Sequence, residues 1–313
     1  MHVLPRRLAD KPQYVFHPAR ALRRVMHRFT ATGGRTEVAQ LPWGLPLEVR
    51  MSDAVGFSIA AGGVFDPCVT EALHRLIDPG DVVADVGANV GYLTSLAAIR
   101  AGREGEVLAF EPHPTVYELL ERNAARWRDS GAVENVELRR VALSDREGEG
   151  TLLAGPSFEG NMGLSALASG EAPTEGSNAI TVPLARLDES VHAERLGLLK
   201  IDVEGHEPDV LRGAERLLEN GAVRDIVFED HDEYPSEATA LVERAGYELI
   251  SLANDLRGLR LVAPEARGEV RAWPGPSYLA TLDPERAKQR LRPRGWRVRG
   301  IGPSLGWRRR AAA

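Results

Sequence analysis

Within residues 19–29, Leu22, Val25, Met26 and Phe29 recur at i, i+3, i+4 and i+7. Arg20, Arg23, Arg24 and Arg28 fall largely on the opposite side. That spacing predicts an amphipathic helix whose apolar stripe packs on the domain or on a second copy of the chain. Residues 46–51 read as a short strand, and Ser52 to Ala61 and Pro67 to Ile77 as helices, closed by the turn Asp78-Pro79-Gly80-Asp81. From there the rhythm changes. Val82 to Val86, Glu106 to Phe110, Val136 to Leu143, Leu196 to Val203 and Asp225 to Glu229 are short apolar runs. Between them lie helical patterns over Tyr92 to Arg100, Pro114 to Trp127, Pro208 to Leu218 and Ser236 to Ala245.

Apolar strands alternating with amphipathic helices imply an α/β, doubly wound, mostly parallel sheet covered on both faces. Tyr247 to Leu252 and Leu259 to Ala263 are separated by only Ala253-Asn254-Asp255-Leu256-Arg257-Gly258, too short for a crossover helix, so they predict a terminal antiparallel hairpin. Residues 154–178 form the longest stretch without periodicity and read as a loop covering a substrate. Asn161-Met162-Gly163-Leu164-Ser165 within it offers polar groups to an acceptor. The domain reading is a helical and short-strand extension over 1–77, a ligand-binding domain over 78–263, and a basic Pro/Arg/Trp-rich tail over 264–313 that docks irregularly.

Hydrophobic residues make up 43% and charged residues 27% of the 313 positions, which excludes wholesale disorder. Cys68 is the only cysteine, so neither an internal disulfide nor a cysteine-based zinc site is available. No apolar run is long enough to span a membrane and the N-terminal residues lack the apolar core of a secretory signal, which makes a reducing cytoplasm the expected location. The net charge of −6 is unevenly spread. Residues 1–30 carry 7 Lys/Arg and one acid, and residues 283–313 carry 10 Lys/Arg and two acids. The span 31–282 is left with 22 basic and 42 acidic residues. An acidic body with basic ends is not built for nucleic acid. The ends are expected to clamp onto that body; a membrane surface or an acidic carrier protein is the alternative partner.

Asp85-Val86-Gly87-Ala88-Asn89-Val90-Gly91 joins the first parallel strand to its helix. Gly87 permits a tight turn, Asn89 tolerates a left-handed conformation, and Gly91 lets the helix approach the sheet. The spacing departs from the G-x-G-x-x-G that cradles a pyrophosphate, which argues against a nicotinamide dehydrogenase. Asp85, two residues before the first glycine, suits a cationic ligand group, and Glu111 at the end of the second strand suits both hydroxyls of a ribose. S-adenosylmethionine carries both features.

Residues 80 to 252 resemble the FkbM-type family of class I S-adenosylmethionine-dependent methyltransferases. The matching stretches are Asp85 to Gly91, Phe110-Glu111-Pro112, Val141-Ala142-Leu143-Ser144-Asp145 and, most specifically, Leu199-Lys200-Ile201-Asp202-Val203-Glu204-Gly205-His206-Glu207. The resemblance implies a Rossmann-like, seven-stranded sheet whose last strand inserts antiparallel. It also implies methyl transfer, often to a hydroxyl of a natural product or sugar. By position it places Ala142, Ser144 and Asp145 beside the adenine, with Asp202 also on the cofactor.

Ligands bind outside the carboxyl ends of strands in such sheets. The fourth strand delivers Asp202, Glu204, His206 and Glu207 there, and the fifth delivers Glu229, Asp230, His231, Asp232 and Glu233. So many acids repel one another unless compensated. Mg²⁺ or Mn²⁺ held by Asp202, Glu229 or Asp230 with a histidine is one compensation, and Lys200 with the sulfonium of the cofactor is another. A hydroxyl acceptor must lose its proton, for which His206 is the first candidate base and His231 the second, with Glu204 orienting the base or the acceptor. On this reading His206→Ala binds cofactor but does not turn over. The expected acceptor is a small-molecule hydroxyl; N-methylation and a non-catalytic S-adenosylmethionine-binding module are the alternatives. A homodimer is a further expectation.

Overall fold

A computed structural model describes residues 11–30, 35–154, 165–167, 178–232, 234–269 and 277–302. The chain enters through α1 (Pro12–Val15) and α2 (Pro18–Thr30), then the hairpin β1 (Thr36–Gln40) and β2 (Pro46–Arg50), then α3 (Ala54–Gly62) and α4 (Pro67–Leu76). The main α/β segment follows as β3 (Val82–Val86), α5 (Tyr92–Ala101), β4 (Glu106–Phe110), α6 (Pro114–Asp129) and β5 (Val136–Arg139). A second group comprises β6 (Ala142–Leu143), β7 (Gly148–Ala154), β8 (Ser165–Leu167), β9 (Asn178–Ala185) and α7 (Leu187–Ser190). The chain then returns through β10 (Leu196–Ile201), α8 (Glu207–Arg212), α9 (Glu215–Glu219), β11 (Val223–Glu229) and α10 (Glu237–Arg244). It ends with β12 (Glu248–Asp255), β13 (Gly258–Val262), β14 (Ser277–Thr281) and α11 (Pro284–Leu291).

The main sheet runs β13-β12-β14-β11-β10-β3-β4-β5. Strands β11, β10, β3, β4 and β5 pair in parallel. All six residues of β10 are buried, as both covered faces of a central parallel strand require. The mostly parallel sheet and its terminal hairpin match the sequence pattern, but among the described residues the main sheet has eight strands rather than seven. Nor is the inserted antiparallel strand part of the hairpin. It is β14, which pairs antiparallel with β11 on one side and β12 on the other. The segment read as an irregular tail therefore supplies an interior strand, fully buried, with Tyr278 stacked on Phe228 at 5.5 Å between ring centroids.

Two other expectations change. Residues 144–195 carried no predicted strand, yet β6, β9, β7 and β8 form a second sheet beside the first. The run Val136 to Leu143 splits because β6 leaves the main sheet to pair with β9. Residues 155–164 and 168–177, including Asn161 to Leu164, lie outside the described residues.

The basic helix is also reversed. In α2, Leu22 and Val25 are 63% and 53% exposed, so this part of the apolar stripe does not pack on the domain. Arg20 and Arg24 turn inward instead. Arg20 donates to the Gly300 carbonyl, and Arg24 donates to Ser58 Oγ and lies 5.5 Å from the Phe57 ring centroid. Guanidinium groups find carbonyls and aromatic faces here that the apolar side chains cannot use. At the other end, Arg286 and Arg290 of α11 do clamp onto the acidic body, through Asp78 and Asp225. No described helix is long and apolar enough to cross a membrane.

Candidate functional site

At the end of β3, Gly87 takes φ +75°. A Cβ there would sit 1.9 Å from the Asp202 carbonyl oxygen, so only glycine lets this loop lie against the end of β10. The Gly87 and Ala88 N–H groups donate to the Phe110 carbonyl at 3.0 and 2.9 Å. Asn89, at φ +50°, donates its N–H to Glu111 Oε2 at 2.9 Å. The loop is thereby fastened to the end of β4 before any ligand arrives.

Asp85 departs from its expected role. It is 1% exposed and does not reach the cavity wall. It neighbours Lys200 across the β3–β10 pairing and lies 3.2 Å from its Nζ, while Thr94 Oγ1 donates to its other oxygen at 2.6 Å. Lys200 donates in turn to the Val86 and Gly87 carbonyls. Burial opposes the Lys200 charge, but the Asp85 and Asp202 carboxylates outweigh it and hold the ammonium above its ordinary pKa. Asp85 is thereby tied to the glycine loop through Lys200.

Above the loop, a cavity of about 300 Å³ opens at the carboxyl ends of β3, β4, β10 and β11. One half is mostly apolar, walled by Phe110, Pro112, Ala142, Leu143, Leu152 and Leu167, the last two from the unpredicted second sheet. Glu111 closes this half. Its two oxygens each accept one backbone N–H, from Asn89 and His113, which leaves each a second lone pair. Burial pushes its carboxyl up to about 7. Ser144 and Asp145 follow the lining residues Ala142 and Leu143 but do not themselves line the cavity. Ser144 Oγ is 3.0 Å from His206 Nε2, and Asp145 pairs with Arg146.

The other half gathers Asp66, Asp202, Glu204, Glu229 and His231. Burial pushes Glu229 up to about 8, with the charges of Asp202, Asp66 and Glu204 adding to the rise and Lys200 opposing it. Glu204 is pushed up to about 7 by burial, then by Asp202 and Glu207. Its backbone is held at φ +56°, a conformation that non-glycine residues rarely adopt away from functional sites. His231 Nε2 lies 3.2 Å from Glu229 Oε1. Asp66 was not anticipated as a site residue. It caps α4, accepting from the Cys68 and Val69 N–H groups at φ +35°, and burial pushes its carboxyl up to about 6. The Asp66-Pro67 pair in the sequence is a legible helix start, but not one that reveals what the cap faces.

Both ring nitrogens of His206 are occupied. Nδ1 lies 3.0 Å from Asp209 Oδ2, and Nε2 meets Ser144. Burial holds its imidazole below the ordinary value, against the pull of Asp209 and Asp145. Glu207 turns back to accept the Val203 N–H at 3.0 Å, which fixes the start of α8. Asp230 is committed to Ser236 and to the Asp232 N–H. It does not join Asp202 and Glu229 as a ligand set, and among the described residues no three His, Cys, Asp or Glu side chains are arranged to hold a metal ion. Among the described residues this donor set does not fit Mg²⁺ or Mn²⁺.

They do fit S-adenosylmethionine. Glu111 has lone pairs for ribose hydroxyls, the apolar half suits an adenine face, and the acidic half has a surplus of carboxylates to meet a cation.

Comparison with known proteins agrees with this arrangement. A family described as the methyltransferase FkbM domain matches residues 85–249. The 31-O-demethyl-FK506 methyltransferase FkbM of Streptomyces tacrolimicus is 32% identical over 55% of this chain and 75% of that protein. The hexuronic acid methyltransferase AglP of Haloferax volcanii is 31% identical over 56% of this chain and 67% of its own length. The AMB antimetabolite synthetase AmbE of Pseudomonas aeruginosa is 34% identical over 58% of this chain, which spans only 10% of that much longer protein. With the matched segment running from Asp85 through the glycine loop, the Glu111 strand and the Asp202-to-Glu207 motif, the chain belongs to the FkbM family of S-adenosylmethionine-dependent methyltransferases.

Proposed function

We propose that this protein transfers a methyl group from S-adenosylmethionine to a hydroxyl of a small molecule, a sugar, glycoside, polyketide or other natural product. The observation that carries the proposal is the Glu229–His231 pair on the cavity wall. A hydroxyl acceptor must shed a proton, and an imidazole backed by a carboxylate is matched to that task near neutral pH. When bound, S-adenosylmethionine supplies a methyl group already activated as a sulfonium. What the protein must add is position and a proton acceptor. A cation in the cavity favours the ionised form of Glu229, which then accepts the His231 Nε2–H and leaves Nδ1 free to take the acceptor proton. His206, the first candidate from the sequence, has no free ring nitrogen and becomes a positioning residue that ties the turn after β10 to Ser144. The names of the FkbM and AglP relatives, a 31-O-demethyl-FK506 methyltransferase and a hexuronic acid methyltransferase, favour small-molecule acceptors.

N-methylation is the second reading, favoured by the acidic half of the cavity, which would hold an ammonium. Transfer of a labelled methyl group into a panel of glycosides, polyketides and amines, with the products assigned by NMR, tests both. A methyl ether supports the proposal. A methylamine as the sole product replaces it with the second reading.

A further inference from the structure

A second cleft, of about 320 Å³, lies on the free edge of the main sheet, where the turn from β12 to β13 meets the residues after α11. Arg257, Arg260, Arg292 and Arg294 line it over a floor that includes Leu259 and Leu261, with Asp255 the one acid. All four arginines are exposed. None has an ion pair to a described residue, and Asp255 is engaged by the Arg257 N–H. Arginines on the elements beside the cleft and at the base of the main sheet have acidic partners. Arg286 and Arg290 of the neighbouring α11 are matched by Asp78 and Asp225, and Arg75 and Arg224 have acids of their own. Four like charges around one cleft repel one another until an anion enters, and guanidinium groups bind oxyanions through paired N–H donors.

The position of the cleft is set by sheet register. β12 runs parallel to β11, because both pair antiparallel with β14. Leu252 is level with Glu229 through Ser277, so Asp255 and the turn after it stand on the same rim as the catalytic cavity. Strands lie about 4.8 Å apart, which places the cleft roughly 10–15 Å across the sheet from the Glu229 line. The two sites have opposite charge. The cavity surrounds an acceptor with carboxyl groups and, among the described lining residues, offers an anion only the ammonium of Lys200, already paired with Asp85, whereas the edge cleft would hold it.

We infer that the Arg257–Arg260–Arg292–Arg294 cleft binds a phosphate-class anion and anchors the charged far end of an acceptor whose methylated end enters the acidic cavity. The anion-binding half stands alone; the anchoring half rests on the methyltransferase reading above.

Pyrophosphate is the probe. Calorimetry at low ionic strength should show binding to the full chain, weakened about tenfold or more by Arg257→Ala/Arg260→Ala and by Arg292→Ala/Arg294→Ala. Adenosylhomocysteine binding should be unchanged in both, which shows that the variants are folded. Arg292→Lys/Arg294→Lys should recover only part of the affinity, since an ammonium cannot grip two oxygens at once. No binding to the wild-type chain, or equal binding to the alanine variants, overturns the site. Once an acceptor is in hand, pyrophosphate should raise its KM and leave kcat alone. An unchanged KM overturns the anchoring role, and this outcome is distinct from failure of methyl transfer itself.

Discussion

On the β4 side of the cavity, polar groups already have internal partners. Asn89 and His113 bond Glu111, Ser144 bonds His206, and Phe110 receives the N–H groups of the glycine loop. On the β11 side, Asp66, Asp202, Glu204 and Glu229 crowd together, and Lys200 is the one ammonium or guanidinium among the described lining residues. The first half is finished before a ligand arrives, so it recognises by shape and directed lone pairs. The second half is an electrostatic debt that a bound cation relieves. Recognition and reactivity are thus separated across one cavity, and substitutions on the two sides should fail in different ways.

Gly87→Ala should have the largest effect. Its Cβ would collide with the Asp202 backbone, which joins the two halves, at a φ that alanine resists. We expect a stability loss of more than about 3 kcal/mol in denaturant unfolding and no measurable cofactor binding. Glu229→Gln should reduce kcat by about 100-fold or more, with adenosylhomocysteine affinity nearly unchanged; wild-type turnover would remove Glu229–His231 from the chemistry. Glu111→Ala should show the converse, weakening S-adenosylmethionine by about 10- to 100-fold while sparing kcat at saturation.

The pH dependence of the ligand-free protein sharpens the contrast further. Burial raises Glu229 to about 8, Glu204 and Glu111 to about 7, and Asp66 to about 6. The folded chain therefore keeps protons that the unfolded chain releases near the ordinary carboxylate values. Its stability should be greatest near or below those values and fall as pH rises through about 8. Tm measured from pH 5 to pH 9 should decline, Glu229→Gln should flatten the upper part, and a bound cation should reduce the slope. A Tm that rises across this range would contradict the burial of these acids. The smallest effect is expected from His206→Ala, whose kcat should stay within a few-fold of wild type. A collapse of turnover with cofactor binding intact would restore His206 as the base.

The halves also differ in how well the sequence exposes them. Gly87, Asn89 and Glu111 were legible because a turn after a buried strand and an acid at the next strand end are local signals. Asp202, Glu204, Glu229 and His231 were legible as strand-end chemistry. Their division of labour was not, because whether a histidine keeps a free nitrogen depends on Ser144 and Asp209, groups brought to it by folding. Asp85 looked like a ligand residue because its partner, Lys200, is distant in sequence and adjacent only across the sheet. Asp66 escaped notice for a similar reason. In α2 the periodicity was correct and the direction reversed, since a hydrophobic stripe tells which residues share a face but not which face meets the body.

The interior placement of β14 constrains how this chain can be made. β11 and β12 are complete long before residue 277 leaves the ribosome, yet they do not pair with each other; the strand that joins them comes last. Until then the β12–β13 hairpin has no strand pairing to the sheet, and β11 presents an open edge beside the acidic half of the cavity. An unpaired central edge is an invitation to mispair with another nascent chain. A chain stopped before Ser277 would therefore lose the strand that links the β12–β13 hairpin to the sheet, so synthesis of β14 is the step that closes the main sheet.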